Sequence, residues 1–369
     1  MPDDRYRLRW GHLQSPLTKI YDLSFVRMSV FDTIWVLAED DSGRLGLGEA
    51  VPLTGYNWET LDSIRGAVES IADDRWMRRS EIEARCKAAA RRNPFAASAV
   101  MSALDMPSAL ERLDTRPACP LSAPVSGDWS PEQLEQAVKT ALASGYGYIK
   151  CKVGRDAALD LRAARILLEG NFEKPFKVVF DANQAYDLTT ALVVARGFGA
   201  LKPERFQWFE QAVDRQDWAA METLCAESPV RIVLDEAIYD AADIARAASM
   251  GAFGVKLKLM KNFGIEGTIE LSKHASALGM TVVMGNGVAT DIGNLAEYLV
   301  VANGGVRFAD PGECNGFLKL PAQILGGLLS IDKHGAMCCR ESVVTIQAAL
   351  ARFAGQVAAT THSVTGISR

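Results

Sequence analysis

The sequence predicts an α/β protein: a barrel of parallel strands, each followed by a helix, with a smaller α+β domain on its N-terminal side. Three observations predict it. From about residue 120, eight short apolar strand candidates begin at Ser122, Gly147, Lys177, Phe206, Arg231, Phe253, Met280 and Val306, spaced 22 to 30 residues apart. That is the period of a strand plus its covering helix. No Gly-x-Gly-x-x-Gly turn occurs, which argues against the doubly wound open sheet. The first 115 residues lack the alternation and place strands before helices.

With 369 residues there is room for two domains. The expected division is a capping domain over 1–115, a barrel over 116–329, and a tail over 330–369 that folds back onto the cap. A hydrophobic content of 49% and a charged content of 23% are those of an ordinary soluble protein. The net charge of −5 leaves no footprint for nucleic acid or an anionic membrane. The start, MPDDRYRLRW, has no apolar signal core, and no apolar run is long enough to span a bilayer. Seven cysteines, an odd number without a Cys-x-x-Cys pair, point to reduced thiols and a cytoplasmic setting. A homo-oligomer is expected of such a barrel.

Taken in order, Tyr6–Leu13, Val26–Ala38 and Leu45–Val51 read as strands, the last two joined by the turn Asp40-Asp41-Ser42-Gly43. Helical patterns follow at Glu59–Ile71, Arg79–Arg91 and Ala96–Leu113, with Pro107 expected to kink or break the third. Two polar loops, Ser15–Asp22 and Pro52–Trp58, carry Tyr21 and Tyr56 as a lid over a pocket would. In the barrel region, Ser130-Pro131-Glu132-Gln133 is a capping box with proline in the first turn. It starts the helix Pro131–Leu142, and further helices are expected at Asp156–Leu168, Leu188–Phe198, Trp218–Glu227, Ala241–Met250, Ile265–Leu278 and Ile292–Ala302.

Barrel chemistry sits at the C-terminal ends of strands, and here those ends are charged. The second strand ends in Lys150-Cys151-Lys152, and period two puts both amines on one face. Like charges near a dry interior lower each other's proton affinity, which makes a better base of a lysine. Asp181, Glu210 and Asp235 end the next three strands, 29 and 25 residues apart. Three converging carboxylates repel unless a cation joins them, and an all-oxygen set suits Mg2+, with Mn2+ as an alternative occupant. The sixth strand carries Lys256 and Lys258, so Lys152 and Lys258 flank whatever the cation holds. Lys150 is placed to contact a substrate carboxylate and Lys256 to support Lys258. Lys261 is expected to lie beyond the site. Asn286, Asp310 and Glu313, after the last two strands, are candidate substrate contacts.

This pattern resembles the enolase superfamily, and within it the subgroup of muconate-lactonizing enzymes, dipeptide epimerases and o-succinylbenzoate synthases. The resemblance rests on Lys150-x-Lys152, on Asp181, Glu210 and Asp235, and on Lys258 within Val-Lys-Leu-Lys-Leu-Met-Lys. It implies a (β/α)7β-type barrel with a capping domain, and it sets Asn183 and Glu236 where that family keeps supporting groups. Relatives with a histidine base are disfavoured, because none of His12, His274, His334 and His362 follows a barrel strand. The implied chemistry is Mg2+-assisted removal of a proton next to a carboxylate through an enediolate, on a small-molecule acid. A racemase or epimerase or a cycloisomerase follows most simply, and a dehydratase is the alternative. A Schiff-base aldolase and a non-catalytic barrel are the rivals from other classes. Three departures leave the acid unidentified. Phe263-Gly264 stands where the subgroup often has Gly-Gly, Met284-Gly285-Asn286-Gly287 lacks the glutamate of muconate-lactonizing relatives, and Asp310-Pro311-Gly312-Glu313 lacks the Asp-x-Asp of dipeptide epimerases.

Overall fold

The computed structural model describes residues 4–22, 26–73, 75–202 and 204–364. The N-terminal sheet contains β1 (Arg5–Asp22), β2 (Arg27–Asp40), β3 (Leu45–Ala50) and the short β4 (Met77–Arg78), in the order β3-β2-β1-β4. Ser15–Asp22, expected as a loop, instead continues β1 along β2, with a shift in register between Pro16 and Tyr21. Its polar composition reflects an exposed strand face rather than an irregular chain. At the β2–β3 turn, the Asp40 carboxylate accepts the N–H of Ser42 and Arg44, and Gly43 takes φ +81°.

Helices α1 (Leu61–Ile71), α2 (Arg79–Ala90) and α3 (Pro94–Glu111) cover this sheet. Helix α3 continues past Pro107 and is not broken there. Proline removes the donor for the carbonyl four residues earlier, here that of Ala103. That carbonyl faces Gly46 of β3, where any Cβ would collide with it. Gly48 meets the Ala99 carbonyl in the same way. Helix and strand therefore approach backbone to backbone.

The short β5 (Cys119–Pro120) leads into the parallel sheet of β6 (Ser122–Ser126), β7 (Tyr148–Lys152), β8 (Lys177–Asp181), β9 (Phe206–Glu210), β10 (Ile232–Leu234), β11 (Gly254–Leu257) and β12 (Thr281–Met284), neighbours in sequence order. Helices α4 (Pro131–Ala143), α5 (Ala157–Glu169), α6 (Leu188–Gly199), α7 (Trp218–Glu227), α8 (Ala241–Ser249), α9 (Gly264–Ala277) and α10 (Asp291–Asn303) alternate with these strands. The capping box at Ser130 forms as its sequence requires.

An eighth strand from Val306 is not built. In its place a bent segment closes the ring through single bridges, Ala309 to Val283 on one side and Gly312 to Leu121 on the other. Pro311 supplies no N–H for a ladder, so a regular strand is not available there. Inside the barrel Val179, Trp208, Val233 and Val283 pack together, and a larger apolar layer including Cys151, Phe180, Phe198 and Phe209 joins strands to helices. In the tail, β13 (Ser330–Ile331) pairs with β14 (Ala336–Cys338), and β14 pairs with β5. Helix α11 (Val343–Val364) sets Phe353 edge-on to Trp35, with ring centroids 5.5 Å apart. All seven cysteines are free thiols, and no helix among the described residues is long and apolar enough to cross a membrane.

Candidate active site

The charged residues at the strand ends come together because the strands are in register. Lys152 pairs with Asp181 across β7 and β8, Asp181 with Glu210 across β8 and β9, and Glu210 with Val233 of β10. Asp181, Glu210 and Asp235 are fully buried at the top of the barrel. Lys150 and Lys152 share a face, while Cys151 points into the apolar layer. A cavity of about 140 Å3 opens above them, enough for a small molecule rather than a polymer. Lys150 and Lys152 line it from β7, and Lys258 lines it from the end of β11. Strands β7 and β11 are the second and sixth of the ring, with three strands between them. In an eight-position ring those places are opposite, so the two lysines approach the cavity from opposite sides.

Ion pairs organise the floor. The Lys150 amine donates to Glu210 Oε1 at 3.0 Å, sits 2.7 Å from Asp181 Oδ2, and also reaches Glu313. Lys256, fully buried, donates to Glu210 Oε2 at 2.5 Å and to Glu313 Oε1 at 2.7 Å. Lys152 donates to Asp181 Oδ2 at 2.5 Å and to Asn183 Oδ1 at 2.6 Å, and the Asn183 amide passes on to Glu236 at 2.9 Å. Lys258 stands 2.7 Å from Asp235 Oδ2 as an ion pair. Lys261 is not outside the site as expected. It is buried and donates to the Asp235 carbonyl at 2.6 Å, because a 3-10 turn over Leu259–Lys261 folds it back.

This pairing reverses the electrostatics expected of Lys150. Burial alone would lower Lys150, yet Asp181, Glu210 and Glu313 outweigh it and hold the amine well above the usual lysine range. Burial is likewise overridden at Lys258, which Asp235 and Glu236 raise. Opposite charges, closer than the neighbouring amines, decide the sign. Asp181 and Asp235 are lowered despite burial, by Lys150 and Lys258 respectively before other amines. Burial, followed by the nearby acid charges, raises Glu210 and pushes Glu236 up to about 7.

The walls come from the N-terminal sheet and the last loops. Tyr56 is buried over the site, with its hydroxyl donating to Asp235 Oδ1 at 3.1 Å and its ring centroid 4.2 Å from the Lys258 amine. Arg215, after β9, holds the Tyr56 carbonyl at 2.6 Å. Tyr21, Asn183, Asn286 and Glu313 also line the cavity. Asp310 does not reach this cavity. It interacts with Tyr148 at the opposite, N-terminal end of β7 and borders a separate pocket there. The bent closing segment crosses the barrel wall, so residues three apart emerge at different ends.

Several residues in and around the site escaped the sequence reading, Gln211 and Lys319 among them. Gln211 is buried with φ +31°, and its Oε1 accepts the N–H of Asp235 at 2.9 Å and of Ala237 at 3.3 Å. Its position directly after Glu210 was the available signal. Lys319, which also lines the cavity, lies in a stretch without strand or helix periodicity. Asn183 and Gln184 also take positive φ, +44° and +70°, so the chain is strained where two of these strands end.

The residues fit a hard divalent cation in kind. Their donors are carboxylate oxygens on three consecutive strand ends, and Glu236 Oε2 is buried beside them without a hydrogen-bond donor. Among the described residues no three acidic, histidine or cysteine side chains are drawn into a closed cage, since each carboxylate leans on a lysine instead.

A family profile described as "Enolase C-terminal domain-like" matches residues 133–315. The L-Lys-D/L-Arg epimerase of Methylococcus capsulatus is 30% identical over 292 residues, 73% of this chain and 79% of that one. The aromatic dipeptide epimerase of Herpetosiphon aurantiacus is 28% identical over 316 residues, 80% and 86% of the two chains. The solved dipeptide epimerase of Enterococcus faecalis, complexed with Mg and L-Leu-L-Tyr, superimposes with a TM-score of 0.79 at 17% identity, covering 92% of this chain and 98% of that one.

Proposed function

The chain belongs to the enolase superfamily, in its muconate-lactonizing-enzyme-like subgroup, and from that premise we propose that it is a cytoplasmic, Mg2+-dependent isomerase of a small carboxylic acid. It removes the proton next to the carboxylate on one face and returns a proton on the other, as a racemase or epimerase does. The observation that carries this reading is the pair Lys152 and Lys258, entering one cavity from opposite positions of the barrel.

Asp181, Glu210 and Asp235 would hold the cation, which when bound supplies positive charge against the dianion that forms as the proton leaves. Lys150 faces the cavity as a second, fixed positive charge toward the substrate carboxylate. Lys152 is paired with Asp181 and Lys258 with Asp235, and the acids around Lys258 raise it. With those carboxylates engaged by a cation, the amines lose those partners, and one of them can act as base near neutrality. Asn183 orients Lys152, and Glu236 orients Asn183. The Tyr56 ring covers Lys258 and keeps water from it.

The test is solvent exchange. Dipeptides and N-acylated amino acids are incubated with the protein and Mg2+ in deuterium oxide, and loss of the α-proton signal is followed by NMR. Exchange that EDTA abolishes and Mg2+ restores is expected. Turnover that survives EDTA and is trapped by borohydride would point instead to Schiff-base chemistry at a lysine.

A further inference from the structure

The cavity holds one amine that this chemistry leaves idle. Lys319 ends the 3-10 turn Gly316–Lys319 and lines the same space as Lys152 and Lys258. Each of the other three lysines there stands within ion-pair distance of a carboxylate: Lys150 of Asp181, Glu210 and Glu313, Lys152 of Asp181, and Lys258 of Asp235. Lys319 has none among the described residues. Its amine donates to Asn315 Oδ1 at 2.5 Å and to the Asn315 carbonyl at 3.4 Å, and it sits 4.6 Å from the centre of the Tyr21 ring. Glu297 is an acid that feels this amine, but it does so only through space.

These neutral contacts fix the amine without cancelling its charge. The turn itself is tied to its neighbours. Phe317 donates its N–H to Asn294 Oδ1 at 2.8 Å, and the Lys319 carbonyl accepts the Thr18 hydroxyl at 3.1 Å. A Cβ on Gly316 would collide with the Ala289 carbonyl, so the turn is seated against the chain leading into α10. A half-buried ammonium held this way has its ordering cost already met and binds an anion as a fixed point charge. In the lining of the same cavity the Asn286 side-chain oxygen is buried without a partner, so one end of that amide also lacks a donor.

We propose that Lys319 receives a second carboxylate of the substrate, so that the acid this site acts on is a dianion at neutral pH. The inference rests on the isomerase reading for the place of the first carboxylate, beside Lys150. A neutral group in place of the second carboxylate would leave the half-buried Lys319 without a counter-charge, which is how a polar site rejects an analogue.

The experiment reads binding rather than turnover. The Mg2+-loaded full chain is titrated calorimetrically with glutarate, adipate and pimelate and with the half-amide of each. At least one diacid should bind about tenfold more tightly than its half-amide, the size of a lost charge-assisted contact. Lys319→Gln should bring that ratio to within about twofold, and Lys319→Arg should keep most of it. The proposal is overturned if no diacid is preferred, lack of any diacid binding included, or if Lys319→Gln retains the preference. Failure of the isomerase reading shows separately. A diacid preference in a protein that exchanges no α-proton leaves this subsite standing and removes the reaction. Exchange confined to mono-acids does the reverse.

Discussion

Five amines, Lys150, Lys152, Lys256, Lys258 and Lys261, meet five acids, Asp181, Glu210, Asp235, Glu236 and Glu313, in one barrel mouth. The sequence foretold most of them because strand ends project charge at a fixed period, and a carboxylate or lysine after an apolar run is conspicuous. What it could not foretell was their order of pairing, which depends on distances a one-dimensional pattern does not contain. Gln211 shows the same limit. An uncharged residue after Glu210 attracts no notice, yet it carries the turn that aims Asp235. Gln211→Leu should leave the Asp235 and Ala237 N–H groups unsatisfied in a buried place and cost about 2 kcal/mol. Chemical denaturation checks the cost, and calorimetric Mg2+ titration should show weakened binding as well. A variant as stable and as tight as the parent would show that Gln211 positions nothing.

At the scale of elements, the alternation of seven strands and their helices was legible because each obeys its own hydrophobic period and its own caps. Three elements were not. Residues 15–22 read as a loop because an exposed strand face is as polar as one. The segment from Val306 read as a strand because its apolar content is that of a strand, although Pro311 removes a ladder donor. Helix α3 was expected to kink or break at Pro107; it is not broken, and the freed Ala103 carbonyl lies against Gly46 rather than in an apolar void. That close packing gives a sharp prediction. Gly48→Ala places a methyl group on the Ala99 carbonyl, and strand and helix must part. A loss of about 3 kcal/mol is expected, seen as a lower denaturation midpoint with an unchanged slope. A neutral outcome would mean the two elements slide freely.

In the whole molecule a carboxylate ties the N-terminal sheet to the barrel. Glu49 of β3 accepts the N–H groups of Thr290 and Gly293 at the start of α10, and burial pushes it up to about 7. Burial also raises Glu59 to about 7 and Glu297 to about 8. A carboxyl whose folded pKa exceeds its unfolded value favours the folded state most below the unfolded pKa, here about 4.5, and that advantage fades as pH rises through the folded value. Thermal stability should therefore fall between about pH 5 and 8.5, and Glu297→Gln should flatten part of the decline. A midpoint that climbs over this range would contradict those burial shifts. The fold's central consequence is the opposition of its second and sixth barrel strands, and a stereochemical assay addresses it most directly. Lys152→Ala and Lys258→Ala are each incubated in deuterium oxide with the separate stereoisomers of a turned-over acid. Isomerisation should drop by about a thousandfold in both, while each variant still exchanges the α-proton of one stereoisomer only, and the two variants choose opposite ones. If both variants exchange the same stereoisomer, or either isomerises at the parental rate, the two lysines do not face each other across the reacting carbon.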